Sequence, residues 1–276
     1  MEEPPTAGAT MPESPSEENA PAAVDRIRAR LVAVDHPAPP FDSGTIVDLP
    51  APARRLLGAA LPDWTPLHRS VALTMHGRIK LGPAWIRFTA DQVLVAGVGF
   101  VWRPRVGGRL LGIRGADAFD ADQALMDFRL HGRLTLVHED GPDVARSAAG
   151  RLAAETVAWL PQALTPQAGA RWTEVDDTAA AVALDTPEGV VDVEVGVHDD
   201  GRLRSIGLQR WNSDADPPEA EPFGGEVVQA HETDDGIRIA GKGTVGWGWG
   251  TPDEPDGAFF RYSVDEARWP AAPATA

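Results

Sequence analysis

The chain has 276 residues, 43% of them apolar, and a formal net charge of −16, with Lys+Arg 25 against Asp+Glu 41. The apolar share excludes wholesale disorder, and the absence of cysteine excludes disulfides and thiol nucleophiles. The acidity excludes a nonspecific nucleic-acid binder, which needs a basic phosphate-facing surface.

The charge is unevenly spread. Residues 1–20, 213–222 and 253–256 hold five, four and three net negative charges, twelve of the sixteen. All three segments contain proline and read as a tail and two loops, where charge serves solubility. Residues 1–20 lack the basic start and apolar core of a secretory signal. No stretch reaches the ~18 apolar residues of a membrane span. The expectation is a soluble, cytoplasmic protein without stable membrane insertion.

Pro21–Asp35 has helical composition, with Val24, Ile27, Leu31 and Val32 near one face. Leu49–Leu61 reads as a second helix, capped by Asp48, with Pro50 in its first turn and Leu56, Leu57 and Leu61 as an apolar stripe. The period then changes to two. In Ser70–Lys80, Val71, Leu73, Met75 and Ile79 share one parity, which makes a half-buried strand. Strand-like runs follow at Ala84–Ala90, Val93–Val106, Arg109–Phe119 and Ala124–His138, with Gly107-Gly108 as a tight hairpin turn.

Pro142–Trp159 is a long Ala-rich helix stopped by Pro161. Strands resume at Arg171–Val175, Ala179–Leu184, Gly189–His198, Arg202–Trp211, Glu226–Glu232, Gly236–Trp249 and Ala258–Val264. Parallel βαβ alternation is missing, and the Gly-containing loops are short. The predicted fold is mainly β (α+β). A large curved antiparallel half-barrel of about 10–12 strands carries two N-terminal helices and one central helix on its concave face. Residues 21–268 form its single domain, between an acidic tail over 1–20 and a short flexible tail over 269–276.

Most catalytic motifs are absent. Gly236–Gly243 approaches a phosphate loop but ends in Gly where Ser or Thr must hold magnesium. No nucleophile elbow occurs, and His231-Glu232 does not continue as a zinc-binding HExxH. His138, His198 and His231 each precede an acidic Gly turn, but Asp and Gly at hairpin tips already serve the turn itself. No metal or cofactor is expected.

The informative features are aromatic. Val98-Gly99-Phe100-Val101-Trp102 and Val245-Gly246-Trp247-Gly248-Trp249 share one form, with the large side chains on one strand face and glycines on the other. The aromatics either anchor a core, or line a cavity whose bare glycine strip admits an elongated apolar ligand. On the central helix, Arg151, Glu155 and Trp159 lie four apart on one face. A carboxylate there must be paired or have a raised pKa. Glu155 is then a structural ion pair, an anchor for a ligand head group, or a general acid/base, and Arg210 is a candidate buried counter-charge.

These residues resemble an uncharacterised, actinobacterial-type bacterial family of unknown function. The match is carried by Gly77-Arg78-Ile79, Trp85 with Phe88-x-Ala90, Gly99–Trp102, and Arg151, Glu155, Trp159 and Pro161. Trp172, Gly201-Arg202-Leu203 and Arg210 extend it, over about residues 45–265. The layout is similar to the Lol-type lipoprotein carriers, whose half-barrel cups a lipid cavity. The paired aromatic strand motifs and the one carboxylate on an otherwise apolar helix face point to a non-enzymatic binder of an apolar or lipid-like small molecule in such a cavity. Trp85, Phe100, Trp102, Trp159, Trp247 and Trp249 would line its cavity, and Glu155 and Arg210 would orient a head group. The alternatives are an enzyme using Glu155 as acid/base in the same cavity, and a ligand-free scaffold.

Overall fold

A computed structural model describes residues 20–33 and 39–270. Thirteen strands form one antiparallel sheet. They are β1 (Ser70–Leu81), β2 (Ala84–Val95), β3 (Gly99–Val106), β4 (Ile113–Phe119), β5 (Ala124–Leu130), β6 (Leu134–Asp140), β7 (Arg171–Glu174), β8 (Ala179–Thr186), β9 (Gly189–Val197), β10 (Leu203–Asn212), β11 (Glu219–Glu232), β12 (Arg238–Trp247) and β13 (Ala258–Arg268). The order is β6-β5-β4-β3-β2-β1-β13-β12-β11-β10-β9-β8-β7. Two meanders thus run outward from a central β1–β13 pair. Three helices pack on the sheet: α1 (Ala20–Ala33), α2 (Ala51–Ala60) and the central α4 (Pro142–Trp159). Single turns α3 (Gly108–Leu111) and α5 (Glu254–Gly257) sit in loops.

The connection through α4 explains why the sheet curves. It joins β6 to β7, the two edges of the sheet. Laid flat, thirteen strands at about 4.8 Å spacing would separate those edges by about 58 Å. A helix of 18 residues spans only about 27 Å, and the linker after it coils into two short 3₁₀ turns. The edges must therefore approach, and α4 crosses the hollow between them. Proline at its first position starts it, and it ends at Trp159 before Pro161.

The open antiparallel architecture agrees with the sequence expectation, with differences in detail. Val93–Val106 splits at the turn before Gly99, and Ala124–His138 splits at His131-Gly132, both in the left-handed region (φ 51° and 71°). Gly107-Gly108 does not make a tight hairpin but opens the helical turn α3. Pro50, not Asp48, sits at the N-cap of α2. The expected tails lie outside the described residues except for Ala20, Trp269 and Pro270.

One helix lies elsewhere than expected. Phe88, Leu94, Phe100 and Trp102 pack with α4 in the main core. Val93, Val95 and Val101, their neighbours of opposite parity, pack instead against Val24, Ile27 and Leu31 of α1. So α1 covers the outer face of the sheet, while α2 and α4 cover the inner one. The near-continuous apolar run from Val93 to Trp102 is the local reason, because a strand apolar on both faces needs cover on both. Among the described residues no helix is long and apolar enough to cross a membrane.

Candidate functional site

Beneath α4 the inner face carries one polar row. Gln92 of β2, Trp102 of β3 and Asp117 of β4 are direct cross-strand partners, and Asp117 in turn pairs with Met126 of β5. Gln92 and Asp117 interrupt an otherwise apolar parity, and both are buried. Helix α4 lays Arg151 and Glu155 across this row. Arg151 Nε donates to Glu155 Oε1 at 2.7 Å, and its Nη1 donates to Asp117 Oδ2 at 2.5 Å. Gln92 Nε2 donates to Glu155 Oε2 at 2.5 Å. The guanidinium lies over the rings of Phe100 (4.5 Å) and Trp102 (5.1 Å). It therefore has aromatic faces beneath it and carboxylates at its edges.

The electrostatics follow from that enclosure. Burial pushes the Glu155 carboxyl above its ordinary value, and Asp117 adds to this, while Arg151 and Gln92 partly offset it. Burial works against the Arg151 charge, but Glu155 and Asp117 outweigh it and raise the pKa.

A second arginine stands nearby on different terms. Arg210 of β10 is lowered to about 10 by burial and by the like charge of Arg151. Its Nε donates to Ser147 O at 2.9 Å, and its guanidinium lies over Phe223 (4.5 Å) and Trp247 (5.3 Å). Among the described residues no carboxylate pairs with it. Gly150 makes room for its stem, because a Cβ there would sit 2.9 Å from Arg210 Cγ.

These groups face a cavity of about 690 Å³ between α4 and the sheet. The walls are mostly apolar and aromatic, with Phe223, Trp247, Phe260 and Tyr262 on one side and Met126 and Phe128 on the other. Trp159 reaches it from the end of α4, donating Nε1 to Ala240 O at 3.2 Å and meeting Tyr262 edge-on at 5.5 Å. Burial pushes the Tyr262 hydroxyl up, and the charge of Glu155 adds to it. At the margin, burial also raises Glu139, with Asp214 and Asp117 contributing. Trp102 Nε1 is buried without an acceptor among the described residues. Among the described residues no three His, Asp or Glu side chains gather to hold a metal.

Of the eight residues singled out from sequence, Trp102, Glu155, Trp159, Arg210 and Trp247 line this cavity. The other three do not. Phe100 is fully buried behind the Arg151 guanidinium. Trp85 has the outward parity of β2 and stacks with Arg261 at 4.2 Å. Trp249 follows Gly248, whose φ of 69° ends the strand alternation. Its indole then turns onto the outer face above Gly207 and Gly224, where a Cβ would meet it at 2.9 and 2.6 Å. Gly207 and Gly224 thus seat the protein's own tryptophan. Asp117, Gln92, Phe223, Phe260 and Tyr262 escaped the sequence reading. For Gln92 and Asp117 a signal existed, namely a polar residue at an inward parity position of a strand.

Residues 39–260 match DUF6544, a family of unknown function, and the chain belongs to that family. No curated protein matches it. Among solved structures it is similar to a DUF1329 family protein from Desulfovibrio piger ATCC 29098, at 10% identity, covering 81% of this chain and 92% of that one, with a TM-score of 0.41. It is also similar to a LolA superfamily protein from Nitrosomonas europaea, at 8% identity, covering 80% of this chain and 93% of that one, with a TM-score of 0.42.

Proposed function

We propose that this family member is a non-catalytic binding protein that holds one amphipathic, lipid-like molecule in the cavity under α4. The observation that carries the reading is Arg210, a half-buried guanidinium on the wall of an aromatic cavity that, among the described residues, no carboxylate touches. A buried charge normally finds a partner, because desolvating it alone costs several kcal/mol. A ligand head group with a negative charge supplies that partner. The volume falls within the ~300–1,000 Å³ of small-molecule sites. Phe223, Trp247, Phe260 and Tyr262 offer surface to an apolar body.

Glu155 serves this reading as a positioning group. Both of its oxygens already accept bonds, from Arg151 and Gln92, and the pair fixes α4 over the cavity.

Native mass spectrometry of the purified protein, with tryptophan fluorescence during titration by medium-chain fatty acids, tests the proposal. We expect a copurifying or titrating ligand, and loss of the response in Trp247→Ala. Absence of any bound species, with fluorescence unmoved by all chain lengths, would overturn it.

A further inference from the structure

A second recess lies on the outer face, away from the cavity under α4. It spans about 950 Å³ over β1–β4 beside the turn α3. Its charge is opposite to that of the chain. Arg78, Arg87, Arg105, Arg109 and Arg114 line it, and no acidic residue does, although the protein carries −16 overall. The strand register sets these arginines against one another. Arg78 directly faces Arg87 across β1–β2, and Arg105 directly faces Arg114 across β3–β4.

All five are exposed at the residue level. Among the described residues none of their side chains has a hydrogen bond or an ion pair. The nearby carboxylates are already engaged: Asp265 by His76 at 2.7 Å and Asp25 by Arg103 at 2.5 Å. His76 and His131 complete the rim.

Like charges directly opposed across a strand pair are destabilising. Elsewhere in this chain arginines meet aspartates, as at Arg30–Asp120 and Arg129–Asp127. The recess therefore holds a concentration of positive charge that folding alone does not account for. Planar guanidiniums bind phosphate oxygens in pairs and retain their charge at all working pH values. A single carboxylate would leave most of this charge unmatched, whereas a phosphate group brings up to two charges and three acceptors. The bounded shape and the strongly acidic remainder of the chain favour a compact anion over a long nucleic acid.

We propose that this outer recess binds a compact phosphate-bearing anion through Arg78, Arg87, Arg105, Arg109 and Arg114. The same chemistry is presented by a soluble polyphosphorylated small molecule and by an anionic phospholipid head group at a membrane surface. Two probes separate these sources: inorganic tripolyphosphate by titration calorimetry, and vesicles of phosphatidylcholine with or without phosphatidylglycerol by co-sedimentation. Both use the full chain and the double variant Arg105→Ser/Arg114→Ser.

Binding of tripolyphosphate alone would assign a soluble ligand. Binding of phosphatidylglycerol vesicles, but not neutral ones, would assign a head group. Either supports the proposal if the double variant weakens it by about tenfold or more, as expected when two of the phosphate-contacting cations are removed. Tripolyphosphate should also raise the wild-type melting temperature more than sodium chloride at equal ionic strength, because a ligand of the folded state adds to simple screening. Arg78→Ser/Arg87→Ser repeats the test should the first variant lose its circular dichroism spectrum. The proposal is overturned if neither probe binds, if binding survives both double variants, or if a short DNA oligonucleotide binds where both probes fail.

Discussion

Replacing Arg151 by methionine removes the one cation shared by Asp117 and Glu155 while keeping a long apolar stem. The side chain makes one charge-assisted hydrogen bond to each carboxylate and stacks on Phe100 and Trp102. Two such bonds at about 1.5–3 kcal/mol each, less the desolvation that methionine no longer suffers, give a cost near the ~3–5 kcal/mol known for breaking a buried pair. The cost should depend on pH. Burial raises the Glu155 pKa above its ordinary value of 4.5. For a carboxyl raised on folding, the folded state holds its proton more tightly. Its stabilising contribution is complete below the unfolded pKa and is lost as pH rises through the folded one. Without Arg151 that raise becomes larger, since Arg151 is the main influence opposing it. The Arg151→Met deficit should therefore be smallest near pH 5 and grow towards pH 8. Urea unfolding followed by far-UV circular dichroism at both pH values measures it. A deficit below about 1 kcal/mol, or one that does not change with pH, would refute the view that these three groups form a desolvated, mutually dependent set.

Three further outcomes are expected. Gly150→Ala should gain about 1 kcal/mol of helix propensity yet weaken fatty-acid binding, because the new methyl group displaces the Arg210 stem; unchanged affinity by fluorescence titration would remove Arg210 from the site. Trp249→Ala should lower stability by about 1–3 kcal/mol and leave affinity within about twofold, since its indole lies on the outer face, whereas Trp247→Ala should abolish binding; equal losses in both would contradict the placement of Trp249. Binding of a ligand with a permanently ionised head group should draw a proton onto Glu155, whose carboxyl is already raised by burial; calorimetry in buffers of different ionisation enthalpy would show zero proton uptake if Arg210 and Glu155 do not share the site.

Much of the fold was legible because a strand declares itself locally. The parity of Val71, Leu73 and Met75 in β1 is visible in the sequence and is the parity that faces the core. The Pro142 and Pro161 boundaries of α4 were equally local. What was not local was less legible. The side of the sheet that α1 covers depends on which face of β2–β4 remains bare once α4 is seated, a question about the assembled sheet. Turn geometry was the other obstacle. Trp249 keeps the parity of Trp247 in the sequence, but one left-handed residue at Gly248 cancels it. Parity arguments hold only while the strand stays regular.

The site illustrates the same limit and shows what overcomes it. Arg151 and Glu155 were visible as an i,i+4 pair, a spacing that alone suggests a surface salt bridge of little consequence. What changes their meaning is Asp117 and Gln92, brought beneath the helix by strands 34 and 63 residues away in sequence from their partners. With them the charges can be counted. Arg151 and Arg210 stand against Asp117 and Glu155, each aware of the others through a desolvated interior. Those four charges cancel formally, while Glu139, Asp214, Glu226 and Asp256 add acidity around the cavity; yet Asp117 and Glu155 both touch Arg151 and neither touches Arg210. One end of the cavity is therefore electrostatically closed and the other left open. In the proposed reading, an anion entering at Arg210 meets a cation already partly desolvated by folding, among aromatic walls. That asymmetry, more than the cavity's size or the count of tryptophans around it, is why the pocket reads as a place for a molecule with one charged end.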